Sequence, residues 1–477
     1  MKKIFYILMI IIAGTLSCED DLTLNPVGSN TPEKNFANEK GAEAALLGMY
    51  NNFSPGYFMF SAFKLESYGN TGTAPGPDGD ENMYRLVVTP ETRECDRWWN
   101  ETYPTIHQAN YFLRYFNPDV FSTETRAKSI VGEVRFLRAM MYFRLVRIFG
   151  GIPIITEDTD VEERYPARNT EEEVYQLIMD DLEYGVNNLQ QKYVGIYSEE
   201  YEEAARVTKG AAMALLAKVL MTAPEPLRDY QRAATLTSEI VNNMGYSLLD
   251  KYEDLWMYDN KNNSENIFMI SLSQEGNNNG SNIAGLTYPG QTWYRPTDEL
   301  YNSYESGDQR RDINIFKFII YPDNYVHKYW YDEESYNESS SFPKNAFPFY
   351  YMRLADIILL RAEALARLDW SGNITEITNL INQVRDRAFQ GDQTGDYTYR
   401  VETTDFASED DVIRYLADER HKELYFELHY FFDLKRMGLA IEKLSWPDRP
   451  MEPYMLYFPL GDEQMTLNPN LKQNTGY

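Results

Sequence analysis

Glu423 and Glu427 stand four residues apart in the densest charge cluster of the chain, with Glu419, Arg420, Asp433 and Arg436 around them. Two carboxylates one helical turn apart could serve as general acid and base in glycoside cleavage. The competing reading is structural: Arg and carboxylate alternate along one predicted long helix with Leu424, Phe426 and Phe431 between them. Ion pairs bracing neighbouring helices produce that pattern, and this reading is preferred. The four histidines are His107, His327, His421 and His429. His421 and His429 can share a helix face, but neither an H-E-x-x-H motif nor a cysteine partner accompanies them, so no metal centre is expected. Asp78-Gly79-Asp80-Glu81-Asn82 gathers oxygen ligands, yet Met83 stands where an EF-hand loop needs glycine, and the segment reads as a solvated acidic loop. No G-x-S-x-G elbow and no phosphate-cradling glycine loop occurs. The chemistry-bearing residues thus point away from covalent catalysis, and no cofactor is expected.

Cys18 carries a different chemistry. Met1-Lys2-Lys3 supplies a basic head, Ile4 to Ala13 an unbroken apolar run, and Gly14-Thr15-Leu16-Ser17 a small-residue approach to the cysteine. The run is too short to cross a hydrocarbon core about 30 Å thick, so it reads as a cleaved export signal over residues 1–17. The junction resembles a bacterial lipoprotein box, with Thr15 in the place of the usual Leu; the alternative is an ordinary secretory leader. An acylated Cys18 would tether the chain by lipid, at about 0.8 kcal/mol per buried methylene. Glu19-Asp20-Asp21 resembles the surface-export signal of Bacteroidetes lipoproteins, which favours the outer face of the outer membrane.

The elements that must position any site are mostly helical. Residues 18–35 read as a lipidated tether, with Pro26, Gly28 and Pro32 and no periodic apolar face. Helical spacing follows over Gly41 to Phe53, then through Trp99, Tyr103, Ile106, Asn110 and Leu113, and then over Ile130 to Phe149, which is apolar on more than one side and should be central. Gly150-Gly151-Ile152-Pro153 ends that helix. Further helical patterns cover about 170–189, 206–222, 229–244, 350–368, 374–388 and 409–438; strand signals are short, near 266–271 and 315–320. Residues 66–82 form a long Gly/Pro/Asp-rich loop, and 250–349 form an irregular insertion rich in Asn, Tyr, Gly and Ser. Helices 206–222 with 229–244, and 350–368 with 374–388, fall in pairs joined by short turns, as in degenerate tetratricopeptide packing. The fold class expected is all-α in the main: a single large helical domain over 36–477 with tetratricopeptide-like pairs and the insertion at about 250–349.

Composition bounds the partners. Lys+Arg number 45 against 73 Asp+Glu, a formal net charge of -28 over 477 residues, so polyphosphate is repelled and nucleic acid excluded as a partner. With Cys18 acylated, Cys95 remains alone and no intramolecular disulfide forms, so packing must supply the stability. The chain holds 38 Tyr, 24 Phe and 7 Trp, which serve core packing and can also offer flat apolar faces to sugars.

The whole chain resembles the SusD/RagB family of outer-membrane nutrient-binding lipoproteins. The resemblance is carried by Gly41 to Phe53; by Trp99, Tyr103, Ile106 and Asn110; by Gly132-Glu133-Val134-Arg135-Phe136-Leu137-Arg138-Ala139 on to Pro153; and by Arg168 to Leu189. Thr208-Lys209-Gly210-Ala211-Ala212, Tyr351-Met352-Arg353-Leu354-Ala355-Asp356, Arg387-Ala388 and Glu419-Arg420 continue it. Phe458-Pro459-Leu460, Asn468-Pro469 and Gln473-Asn474-Thr475-Gly476-Tyr477 close it. The chain departs at Leu428 and Tyr430, where the family commonly has Gly and Arg, and at Asp356, where Glu is frequent. The resemblance implies a non-catalytic surface protein, held on the outer membrane by its lipid. It would capture oligosaccharide, or in some relatives peptide, and pass it to a SusC-like TonB-dependent transporter.

Sugar binding asks for exposed rings on loops, with planar polar groups beside them. Two regions offer this. The first combines Tyr68, Asn70 and Asp78 with Arg97 and Trp98; the resemblance places Trp99 in packing, which leaves Trp98 as the freer ring. The second lies in the insertion: Tyr288, Trp293, Tyr294, Arg295, Tyr329, Trp330 and Tyr331.

Overall fold

The computed structural model describes residues 35–52, 56–73, 81–160, 162–163, 165–191, 206–270, 287, 294–317, 324–332, 348–390 and 397–477. Cys18, the leader, the tether, and the expectations placed on Asp78, Tyr288 and Trp293 lie outside the described residues. The helices are α1 (Glu39–Asn51), α2 (Gly56–Tyr68), α3 (Glu81–Tyr84), α4 (Arg93–Tyr115), α5 (Glu124–Phe149), α6 (Glu171–Asn188), α7 (Lys209–Thr222), α8 (Tyr230–Asn243), α9 (Asp298–Ser303), α10 (Arg310–Asn314), α11 (Leu354–Phe389), α12 (Glu409–Glu423), α13 (Tyr430–Met437), α14 (Ala440–Leu444) and α15 (Asp462–Leu467). Six short strands accompany them: β1 (Gly72–Thr73), β2 (Asn266–Ile270), β3 (Arg295–Pro296), β4 (Ile315–Lys317), β5 (Asn324–Val326) and β6 (Phe349–Arg353). The molecule is mainly helical, as its periodicity requires.

A helix apolar on more than one side belongs near the centre, and α5 is buried along most of its length. Thr123 caps it by accepting the Arg126 N–H at 3.1 Å, and Gly150, at φ 75°, ends it. From α5 the helices pack in sequence: α6 on α5, α7 on α6, α8 on α7, α11 on α8 and α12 on α11, with α4 on the other side of α5. Small residues set how closely the first three approach. A side chain at Gly132 of α5 would meet Leu189 at 3.1 Å, and one at Gly185 of α6 would meet Ala212 of α7 at 3.3 Å. No described helix is long and apolar enough to cross a membrane.

Three expectations are corrected. The helix expected from 350 starts only at Leu354, because β6 covers Phe349–Arg353; α11 is then two helices meeting at a kink at Asp369 (φ -165°, ψ 88°), so the break expected between 368 and 374 is present. There the Asp369 carboxylate accepts the Gly372 N–H and the Ser371 hydroxyl, both at 3.0 Å. A helix missed by periodicity, α2, occupies 56–68. The third correction matters most: 409–438 is not one helix. α12 stops at Glu423 and α13 starts at Tyr430, and between them Phe426 (φ 57°) and Leu428 (φ 65°) are left-handed. The insertion holds this break open, because its polar ends take the carbonyls that a continuing helix would use. The Lys422 carbonyl accepts from the Tyr304 hydroxyl and the Asn314 amide (both 3.1 Å), and the Phe426 carbonyl accepts from the Tyr329 hydroxyl (2.7 Å).

Candidate ligand-binding surface

The carboxylates that suggested acid–base chemistry are sealed inside the protein. Arg310, Lys328, Arg353, Arg385 and Arg387 face Asp308, Glu265, Glu419, Glu423 and Glu427, so this buried cluster is formally neutral. Glu423 is reached by three guanidiniums: Arg310 at 3.1 Å, with Arg353 and Arg387 closer still. Burial alone would raise its pKa, but Arg387, Arg353 and Arg310 outweigh that and hold it well below the usual carboxylate range. Glu427 lies in the break between α12 and α13, not one turn along a helix from Glu423, and accepts from Lys328 Nζ (2.7 Å) and Arg353 Nε (2.8 Å). Burial lowers Lys328 to about 8, against the pull of Glu427. His421 closes α12 and stacks on Tyr430, whereas His429 precedes α13 and meets Lys218 Nζ at 3.2 Å, so the two share no helix face. Among the described residues no group of three or more His, Cys, Asp or Glu could hold a metal ion.

The cluster nevertheless positions a surface. It fastens the insertion to the helical frame through Arg310 and Lys328, and so fixes where the chain emerges at β3. There the two regions singled out for sugar binding meet. β1 and β3 pair antiparallel, with Gly72 opposite Pro296 and Thr73 opposite Arg295. Asn70, in the left-handed conformation at φ 60°, donates its amide to Glu299 at 3.1 Å. A side chain at Gly72 would stand 2.9 Å from the Arg295 carbonyl, so the close approach requires glycine here. On the insertion side, Asn324 of β5 donates to Asp298 at 3.0 Å and to the Pro296 carbonyl at 3.3 Å.

Beneath this ladder sits Glu66, at the end of α2 and buried. Its carboxylate accepts from the Thr71 hydroxyl at 2.7 Å and from the Leu428 N–H at 2.6 Å, joining the approach to β1 to the left-handed turn of the helix break. Burial pushes its pKa up to about 7, against the Thr71 and Leu428 hydrogen bonds. Sequence reasoning did not single out Glu66 or Glu299. The one signal for Glu299 is its place in the first turn after Thr297, which caps α9 by accepting the Leu300 N–H.

Several candidate rings are core residues. Trp98 is not the freer ring: it is 0% exposed, edge-on to Phe149 and Phe458, while Trp99 packs on Tyr103. The C-terminal segment covers α4 on that side, so both indoles are enclosed. Tyr68 is buried between Phe431 and Phe458 and donates to the Met455 carbonyl at 2.8 Å. Tyr294 is buried against Phe63 and Phe426, and Tyr329 lies beneath Trp256. Trp330 is also buried, its indole N–H donating to the Val326 carbonyl at 2.6 Å. Tyr331 is half-buried and donates to Glu253 at 3.0 Å. Arg97 is half-buried and faces Glu94 and Glu101 on its own helix at 3.7 and 3.9 Å. The structure therefore joins Asn70 and Arg295 at one surface, with the half-buried Tyr301 nearby under Lys317 (4.7 Å).

A model described as the SusD family matches residues 283–456, and one described as starch-binding associating with outer membrane matches residues 68–221. A SusD-like protein of Formosa agariphila is 26% identical, with 100% of both chains covered. The starch-binding protein SusD of Bacteroides thetaiotaomicron is 22% identical, covering 100% of this chain and 99% of its own. Among solved structures, a laminarin binding SusD-like protein superposes with a TM-score of 0.77 at 26% identity, covering 92% of this chain and 100% of its own. A SusD homolog from Bacteroides thetaiotaomicron shares the fold, with a TM-score of 0.76 at 23% identity over 94% of this chain and 99% of its own.

Proposed function

The chain belongs to the SusD family, and from that premise we propose that it is a non-catalytic surface receptor for oligosaccharide. Its ligand site is the junction of β1 and β3. The observation that carries this reading is the ladder itself: it brings Asn70 and Arg295, from the two loop-rich segments best suited to sugars, onto one rigid edge. A planar amide and a guanidinium held beside exposed loops are the groups that bond ring hydroxyls in a specific pose. Similarity to laminarin-binding and starch-binding relatives supports a neutral glycan as ligand, and the net charge of -28 disfavours an anionic polymer. Cys18 is the lipidation site, the chain sits on the outer face of the outer membrane, and a SusC-like TonB-dependent transporter receives the ligand.

Isothermal titration against neutral glycans, laminarin and soluble starch among them, tests the ligand. Asn70→Ala and Arg295→Ala should each weaken binding about tenfold, the worth of one charge-assisted or bidentate hydrogen bond. Silence across the panel together with a response to peptides would replace the glycan reading with a peptide one. Mass spectrometry of the mature protein should find an acylated Cys18 at its N-terminus, and copurification should recover the transporter.

A further inference from the structure

We infer that the cleft between α1, the C-terminal half of α4 and the residues Ile155 to Asp160, Glu163 and Pro166 is a second carbohydrate site, separate from the β1–β3 junction. The inference rests on the reading of this chain as a glycan receptor. The cleft encloses about 950 Å³, within the range of small-molecule sites.

The argument begins with the periodicity of α4. Ile106, Ala109, Asn110 and Phe112 are buried, as a core face requires, whereas His107, Gln108, Tyr111, Arg114 and Tyr115 form an exposed stripe. Tyr111 and Tyr115, one turn apart, are 38% and 43% exposed, and their ring centroids lie 4.9 Å apart at 54°. Phe36, itself buried edge-on to Phe112, backs the pair 6.0 Å from Tyr111. Rings in such a row present apolar faces with polar edges, the surface on which the C–H face of a pyranose packs.

The polar groups around the rings are held in place. Arg114 donates Nε to the Glu157 carbonyl (2.8 Å) and Nη2 to the Thr159 carbonyl (2.7 Å), and neither bond uses Nη1. The Gln108 amide is oriented by Asn52, which donates to its Oε1 at 2.7 Å, so its Nε2 side carries the donors. Partial desolvation at the cleft lowers the pKa of the His107 ring, exposed though the residue is, leaving a neutral ring that can both donate and accept at neutral pH. On the α1 wall, Gly48 has no atom within 4 Å of where a Cβ would stand, which keeps the floor open. Asp160 and Glu163 outnumber Arg114 in the lining, which leaves it net negative and favours a neutral, many-hydroxyl ligand over a phosphate or a polyanion. Two separated sites would grip one polysaccharide with an avidity that neither reaches alone.

The test uses the mature chain with laminarin and soluble starch as probes, measured by affinity electrophoresis and by titration with their short oligosaccharides. Tyr111→Ala with Tyr115→Ala should lower polymer retention about tenfold and reduce the titrated stoichiometry from two to one, with an unchanged melting temperature. Asn70→Ala with Arg295→Ala should do the same at the other site, and the fourfold variant should lose binding. Wild-type retention and stoichiometry in the tyrosine variant, with loss in the Asn70/Arg295 variant, overturns the second site alone. The converse pattern upholds the cleft and overturns the junction as ligand site. A wild-type chain that binds neither probe nor any other neutral glycan overturns both.

Discussion

Replacing Glu423 with Gln separates bracing from catalysis in the charge cluster. The substitution keeps shape and removes one negative charge from a formally neutral buried set, leaving Arg310, Arg353 and Arg387 to share Asp308, Glu265, Glu419 and Glu427. One cation's worth of charge is then uncompensated in a region where Arg310 and Glu423 are both fully enclosed. Breaking a buried pair in this way costs about 3–5 kcal/mol, a large part of the stability of an ordinary domain. Urea unfolding followed by circular dichroism at pH 7 should therefore show a midpoint shifted strongly downward. Glu442→Gln, which breaks the exposed pair with Arg414, should leave the midpoint where it is. Because Arg387, Arg353 and Arg310 hold Glu423 well below the usual carboxylate range, its contribution is fully present above the unfolded pKa and is lost progressively as pH falls from there towards the depressed folded value. An E423Q protein that unfolds at the wild-type midpoint, yet loses an ability to cleave glycans, would refute the bracing argument.

Three further outcomes follow from the geometry. Glu66, raised by burial to about 7 from an ordinary 4.5, binds its proton more tightly in the folded state, so its effect on stability declines as pH rises from 4.5 to 7. The span is on the order of 3 kcal/mol, and Glu66→Gln should flatten that part of the wild-type stability profile measured by thermal melts at stepped pH. Gly72→Ala should push β1 away from the Arg295 carbonyl and weaken glycan binding about fivefold, the worth of one neutral hydrogen bond, with little change in melting temperature; an unchanged affinity would count against the junction as the site. Trp98→Ala should destabilise the protein by about 3–5 kcal/mol, as a large cavity in the core does, while the folded fraction titrates with glycan as the wild type does.

Much of this molecule is legible from residue order, and the limits of legibility have identifiable causes. The pattern of Ile130 to Phe149, apolar on more than one side, calls for a central helix, and α5 is buried along most of its length. The helical pattern expected over about 170–189 is α6, whose start the structure closes with the reciprocal hydrogen bonds of Thr170 and Glu173. Periodicity over 409–438 misled, because a helix continues only while its carbonyls are taken by its own N–H groups. Here Tyr304, Asn314 and Tyr329, all remote in sequence, take them instead.

Which rings are exposed is likewise absent from local sequence. Trp98 is enclosed by Phe458, 360 positions along the chain in the numbering of the sequence, and Tyr68 by the same residue. Helix formation and the alternation of charge with apolar residues are short-range properties, so the sequence alone determined the helical class, the family and the use of the acidic cluster as a brace. Burial is a long-range property, settled by which distant segment lands on which face. Only the tertiary structure could turn Trp98 and Trp330 inward, join Asn70 to Arg295 through a two-residue ladder, and leave Tyr111 and Tyr115 facing a cleft.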